Sequence, residues 1–240
     1  MRGPQVILAS ASPRRRELMR LLGVPFEVLA SAVEEDLPAE SARPSSLAIR
    51  LAHAKAAAVA RARPGSIVIG ADTIVVLGKR LFGKPADDED ARAMLRALSG
   101  RSHRVITGLA VIDTRVRPGG CSSSSSRTRR SASPAGIGGS SRTTTRTTIE
   151  GSALPAPLTA AETTRVDFRE LDPAEIDAYV ATGEPFGKAG AYAIQGQAAL
   201  FATGIRGDYA NVVGLPVARL ASMLRARGVS ILGIGPVHAP

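Results

Sequence analysis

The chain has 240 residues, of which 44% are hydrophobic, and this is enough apolar material for one sizeable core. Cys121 is its only cysteine, which excludes an intramolecular disulfide and a thiolate zinc site. The chain has neither an apolar run of the roughly 20 residues that a membrane span needs nor a signal-peptide-like start, so we expect a soluble, cytoplasmic protein without a membrane partner.

The net charge of +10 is concentrated in one segment. Residues 114–148 hold seven arginines and no acidic residue, and without those seven the net charge falls from +10 to +3. Ser, Thr, Gly and Arg dominate this segment, a composition that buries too little apolar surface to offset the entropy of ordering it. We therefore predict a single domain over 1–228, interrupted by a low-complexity disordered insertion at about 115–162 and followed by a tail at 229–240.

The first predicted unit is a strand that leads into a helix. VIL at 6–8 is followed by small residues and by Ser12-Pro13, a helix N-cap with proline in the first turn. A helix N-terminus favours acidic residues, yet Arg14, Arg15 and Arg16 follow. A strand, a short loop and a helix N-terminus form an anion site, to which arginines add affinity for a polyphosphate. A solvated basic turn is the alternative.

The remaining elements alternate between strand and helix, which predicts an α/β fold of mixed topology. Strands are expected at 66–77 (broken near Gly70 to Asp72), 104–112, 165–171 and 198–205, and helices after caps at Ser46, Asp88 and Asp172 and from Pro216 to Arg227.

Asp72 interrupts an apolar strand where the end of that strand should open into a cleft. A carboxylate buried there needs a partner, such as a cation, a metal or a water that it activates. An Asx-type turn at a strand break is the alternative. Lys84 follows on a rigid turn, where it either reaches a phosphate or is an ordinary turn lysine.

Two further groups are candidates for phosphate chemistry. Lys55 lies in an alanine-rich helix, as either a snorkelling surface lysine or a phosphate ligand. Residues 34–36 (Glu-Glu-Asp) are an acidic cluster that could bind magnesium, and a solvated loop is the alternative. No Walker, dinucleotide-binding, zincin or hydrolase-elbow motif is present. The remaining chemistry is that of metal-assisted attack of water on a phosphoanhydride.

Seven motifs taken together resemble the Maf family, in the order in which that family has them. They are LASASPRRREL, VEED, GADTIVV, GKP, LSGRSHRVITG, KAGAYAIQG and GDYANVVGLP. The resemblance covers nearly all of the chain except the insertion and the last dozen residues. It implies a mixed twisted sheet flanked by helices, of the inosine-triphosphate-pyrophosphatase type, with two lobes around a deep cleft and commonly a homodimer.

The resemblance also implies an activity and a set of site residues. The activity is hydrolysis of nucleoside triphosphates to a monophosphate and pyrophosphate with a divalent cation, Mg or Mn. Asp72 matches the carboxylate that accepts a proton from the attacking water, and Glu35 matches a metal-linked position. The positions that match phosphate or substrate contacts are Ser10, Arg15, Lys55, Lys84 and Lys188.

Arg14, Thr73 and Gln195 match the branch of the family that hydrolyses dTTP and UTP rather than 7-methyl-GTP. One departure from the family pattern is Gly187, where that pattern has an aspartate. If the aspartate supports the site, we expect lower metal affinity or turnover here. A same-fold enzyme for another or modified nucleotide is one alternative. A catalytically weak scaffold with a nucleic-acid-binding insertion is the other, although the insertion has no aromatic residue for base stacking.

Overall fold

The computed structural model describes residues 4–33, 37, 41, 43–115 and 154–234, and within them it confirms the predicted mixed α/β architecture. Seven strands form one sheet in the order β2-β1-β3-β5-β6-β7, and β4 pairs with β3. The strands are β1 Gln5–Leu8, β2 Phe26–Val28, β3 Ser66–Leu77, β4 Arg80–Phe82, β5 Ser102–Asp113, β6 Leu158–Phe168 and β7 Ala202–Arg206. The helices are α1 Pro13–Arg20, α2 Pro44–Ala62, α3 Asp88–Leu98, α4 Pro173–Ala181, α5 Tyr209–Val213 and α6 Val217–Arg225, with 3₁₀ turns at Ala189–Ala191 and Gln197–Leu200.

Helix α2 packs directly against β3 and β5 on one face of the sheet, and the other helices contribute to the core on the opposite face. Two glycines allow this close contact. A Cβ atom at Gly70 would overlap the backbone oxygen of Ala52, and one at Gly108 would overlap the backbone of Ala48. The predicted break in the strand near Gly70 is therefore wrong, because this glycine accommodates a helix within one continuous strand.

Strands β1 and β4 pair with the same edge of β3, and a gap remains between them along that edge. Strand β1 pairs with β3 only over Ser66–Ile69, and β4 only over Val75–Leu77. Among the described residues, no strand covers 70–74 on this side, and Asp72 is at the middle of that stretch. Because successive side chains of a strand face opposite ways, residues 72 and 73 project on the two sides of the sheet at this gap.

Several boundaries differ from the sequence-based predictions. Helix α2 begins at Pro44 rather than after Ser46, and Asp87, not Asp88, caps α3. The predicted strand over 198–205 divides into a 3₁₀ turn and β7. The capping box at Asp172 is confirmed, with the side chains of Asp172 and Glu175 both bonded to backbone N–H groups.

The insertion ends earlier than predicted. Strand β6 begins at Leu158, which pairs with Val111, so residues 158–162 are strand rather than insertion. Pairing with β5, from Leu158 opposite Val111 to Glu162 opposite Thr107, places these residues in the sheet. Residues 116–153 lie outside the described residues.

The predicted tail also begins too early. Val229 and Ile231 are buried in the core, and only 235–240 lie outside the described residues. Within the described part of the chain, no helix is long and apolar enough to cross a membrane.

Candidate active site

A cleft of about 630 Å³ opens at the gap beside β3. It is lined by nine of the ten residues that match site positions of the resembling family. They come from the β1–α1 loop, α1, α2, β3, the turn after β4 and the segment before the second 3₁₀ turn. These nine are Ser10, Arg14, Arg15, Lys55, Asp72, Thr73, Lys84, Lys188 and Gln195. The tenth, Glu35, lies outside the described residues, as do Glu34 and Asp36.

Asp72 and Lys55 form a buried ion pair at the base of this cleft. Lys55 Nζ donates a hydrogen bond to Asp72 Oδ1, and the exposed fractions of the two side chains are 8% and 2%. Lys55 is therefore not a snorkelling surface lysine, and Asp72 belongs to a continuous strand rather than to an Asx turn. The ammonium group stabilises the ionised carboxylate, which is the form that can accept a proton.

Arg15 is fixed by three hydrogen bonds from its guanidinium group. Nε donates to the Gly214 carbonyl at 2.8 Å, Nη2 to Thr73 Oγ1 at 3.0 Å and Nη1 to Ser10 Oγ at 3.3 Å. Ser12 caps the same helix by accepting a hydrogen bond from the Arg15 backbone N–H. The alternative interpretation, a solvated basic turn, is therefore wrong for Arg15. Its guanidinium group is held beside the N-terminus of α1.

A buried polar network continues behind Thr73. Its Oγ1 lies 2.9 Å from Thr107 Oγ1, and Thr107 Oγ1 donates to the Asn211 carbonyl at 3.1 Å. The fully buried Asn211 donates from Nδ2 to the Val105 carbonyl and to Thr164 Oγ1. Sequence reasoning missed Thr107 and Asn211. The only available signal was an asparagine within the apolar stretch YANVV.

Arg14 and Lys188 provide cationic side chains on another side of the cleft. Burial lowers the pKa of both, and for Lys188 the neighbouring charge of Arg14 lowers it further. Glu184 opposes both shifts. Lys188 Nζ donates to the carbonyls of Glu184 and Phe186. The preceding Gly187 has φ +72°, and a Cβ there would meet no atom within 4 Å, so an aspartate at this position would have space but a strained backbone.

This fold and site define a mixed α/β protein whose cleft gathers cations around one buried carboxylate. The Maf-like protein family matches residues 5–135 and 138–227. The chain therefore belongs to the Maf family.

Several similar curated proteins carry the name dTTP/UTP pyrophosphatase. The chain is 44% identical to one from Pelotomaculum thermopropionicum, with 95% of this chain and 99% of the relative covered. It is 44% identical to one from Desulforamulus reducens and 40% identical to one from Bacillus cereus, with 95% of this chain and 98% and 97% of those relatives covered. A solved dITP/XTP pyrophosphatase from Mycobacterium abscessus aligns at 13% identity over 68% of this chain and 74% of its own, with a TM-score of 0.33, which is too low to bear on the fold.

Proposed function

We propose that this protein hydrolyses nucleoside triphosphates, principally dTTP and UTP, to the nucleoside monophosphate and pyrophosphate. The observation that carries the proposal is the composition of the cleft. Among the described residues that line it, Asp72 is the one carboxylate, and it stands with five cationic side chains: Arg14, Arg15, Lys55, Lys84 and Lys188. Such a cleft suits a polyanion that is attacked beside a base. The name shared by relatives at 40–44% identity supports the same substrates.

In this mechanism Asp72 accepts a proton from a water that attacks the α-phosphorus. The bond from the α-phosphorus to the bridging oxygen breaks, and pyrophosphate leaves. Lys55 holds the carboxylate in place through the buried ion pair. Because general-base catalysis requires the base within hydrogen-bond reach of the water, this fixed position contributes directly to the rate.

The phosphate groups are bound at the N-terminus of α1. Arg15 is already oriented there by its bonds to Ser10, Thr73 and Gly214, so little side-chain entropy is lost when it binds a ligand. We assign Lys84 and Lys188 to the same polyphosphate because both line the cleft.

A divalent cation, Mg or Mn, is part of the proposal. Mg²⁺ typically takes one or two carboxylates together with the phosphates of its substrate. Asp72, the one carboxylate among the described residues of the cleft, is paired with Lys55 and serves as the base, so the phosphates of the substrate and Glu35 are the proposed ligands. The bound cation would neutralise part of the charge that develops on the phosphates.

Arg14, Thr73 and Gln195 are the proposed specificity residues. All three line the cleft, and the amide of Gln195 offers a donor and an acceptor to the edge of a pyrimidine. The homodimer and the cytoplasmic location belong to the proposal as well, and light scattering and cell fractionation test them.

The test is pyrophosphate release with Mg²⁺ or Mn²⁺ from dTTP, UTP, CTP, the purine nucleotides and 7-methyl-GTP. Asp72→Asn should lower it by about 10²- to 10⁴-fold, whereas the exposed surface substitution Asp177→Asn should not. Release from dTTP and UTP above the others supports the proposal. Preference for 7-methyl-GTP or a purine nucleotide would contradict the proposed substrates but not the pyrophosphatase activity. Release of pyrophosphate from no nucleotide would overturn the proposed activity itself.

A further inference from the structure

Gln195 is presented to the cleft by a tight turn. The turn comprises Ala193–Gly196 and is closed by a hydrogen bond from the Gly196 N–H to the Ala193 carbonyl at 2.9 Å. Gln195 is its third residue. The position of the Gln195 amide therefore depends on what holds the two ends of the turn.

One pair of side chains holds both ends. The phenol oxygen of Tyr179 accepts a hydrogen bond from the Ala193 N–H at 3.2 Å and donates to Glu184 Oε1 at 2.9 Å. Glu184 Oε2 accepts from the Gln197 N–H at 3.1 Å, directly after the turn. Burial raises the pKa of Tyr179, so this phenol keeps its proton and its role as donor.

The turn also packs closely on this pair. A Cβ atom at Gly196 would overlap the carboxylate of Glu184, so the backbone of the turn rests directly on that group. Tyr179 is only 3% exposed, so the surrounding core residues restrict movement of its ring. Neither Tyr179 nor Glu184 lines the cleft, so neither is placed to contact a ligand directly. The charge of Glu184 also acts on Arg14 and Lys188, which do line it.

We propose that the Tyr179–Glu184 pair determines nucleobase selection by fixing the turn that presents Gln195. This inference rests on the proposed function and on Gln195 as the residue that contacts the base. An amide distinguishes a donor from an acceptor on a base edge only when its own orientation is fixed. When the turn is released, the amide can rotate and move, so base selection is lost while phosphate binding at α1 is unchanged.

Tyr179→Phe tests this with little change in volume, because it removes only the bridging oxygen. The measurements are KM and kcat for UTP and CTP, and the Ki of inorganic tripolyphosphate, a competitor without a base. We expect KM for UTP to rise about fivefold and the preference for UTP over CTP to fall by a similar factor, the effect of one lost hydrogen bond. The tripolyphosphate Ki and kcat should stay within about twofold. Tyr209→Phe, at an exposed tyrosine outside the cleft, is the matched control.

A double-mutant cycle with Gln195→Ala separates a positioning role from a general structural one. If Tyr179 acts through Gln195, adding Tyr179→Phe to Gln195→Ala changes KM for UTP by less than about twofold. Glu184→Ala, which removes the acceptor for Gln197, should reproduce the loss of preference for UTP over CTP and provides a second variant if Tyr179→Phe folds poorly. Because it also removes a negative charge that acts on Arg14 and Lys188, its tripolyphosphate Ki should fall rather than rise.

The outcomes separate the two proposals. A wild-type protein that releases pyrophosphate from no nucleotide overturns the proposed function. If the wild-type protein prefers UTP, two results overturn only the positioning role of the Tyr179–Glu184 pair. In the first, Tyr179→Phe and Glu184→Ala raise KM for UTP and the tripolyphosphate Ki equally. In the second, they raise neither constant.

Discussion

Lys55 Nζ and Asp72 Oδ1 are hydrogen-bonded at a point where both side chains are more than nine-tenths buried. The pair is possible because Gly70 in β3 and Gly108 in β5 have no Cβ atom to keep α2 away from these strands. Gly108 lies directly opposite Asp72 in the ladder between them. Burial of two charges is costly, and their mutual attraction offsets this cost only when the geometry is good. Function and folding therefore depend on the same contact.

Removal of both partners of this ion pair should cost less stability than the sum of the two single removals, whereas activity should be no higher than after removal of Asp72 alone. Asp72→Asn or Lys55→Met alone leaves a buried charge without this ion pair, at a cost of about 3 kcal/mol in the free energy of unfolding. The double variant should lose clearly less than the sum of the two. Its activity should stay as low as that of Asp72→Asn, about 10²- to 10⁴-fold below the wild type. Urea unfolding and pyrophosphate release measure the two quantities, and additive stability losses would contradict the coupling.

Arg15→Lys should weaken phosphate binding although it preserves the charge. Lysine cannot reproduce the three directed bonds to Gly214, Thr73 and Ser10, so its ammonium group is not preoriented. We expect KM for UTP and the Ki of tripolyphosphate to rise together by about tenfold. This joint rise differs from the base-specific effect expected of Tyr179→Phe. Arg20→Lys, an exposed residue of the same helix, is the control, and an Arg15→Lys variant with unchanged constants would refute the role.

Gly108→Ala should damage both the fold and the site. The added methyl group would overlap the backbone of Ala48, so α2 must move away from the sheet and carry Lys55 with it. Overpacking of this kind typically costs about 1–3 kcal/mol, and kcat should fall because the Lys55–Asp72 geometry changes. At the control position, Gly204→Ala, the nearest atom is Asp167 Oδ2 at 3.4 Å, an ordinary contact. Equal unfolding midpoints and equal kcat for the two variants would show that close approach of α2 is not required.

The sequence was most informative where a charged residue stood in an unusual setting. Asp72 within an apolar strand and Lys55 in an alanine-rich helix were visible as candidates, although their pairing was not. The alternation of strand and helix likewise predicted the fold class.

Sequence patterns could not predict contacts between residues that are far apart in the chain. Arg15 bonds to Gly214, 199 residues away, and the gap beside 70–74 depends on where β1 and β4 stop pairing. The roles of Asn211 and Glu184 likewise arise from hydrogen bonds that only the folded chain brings together.

His103 should make stability depend on pH below neutrality. It is 2% exposed and lies in edge contact with Phe168 and Tyr192, with Nε2 at 2.8 Å from the Tyr192 hydroxyl. Burial lowers its pKa to about 4 from an ordinary value of 6.5. Between these values the unfolded chain binds a proton that the folded chain does not, so the free energy of unfolding falls as pH falls, by up to about 1.4 kcal/mol per pH unit.

His103→Gln keeps a hydrogen-bonding side chain beside Tyr192 and cannot titrate, so it isolates this effect. We expect urea unfolding of the wild type to show the steeper loss of stability from pH 6.5 to pH 4, because the carboxylates contribute to both proteins and cancel in the difference. The variant should be the less stable protein at pH 7, because it loses the packing of the imidazole ring. The difference in the free energy of unfolding between the two proteins should decrease as pH falls. Parallel stability curves would mean that His103 is protonated in the folded protein as readily as in the unfolded chain, and that burial in this aromatic cluster does not exclude its charge.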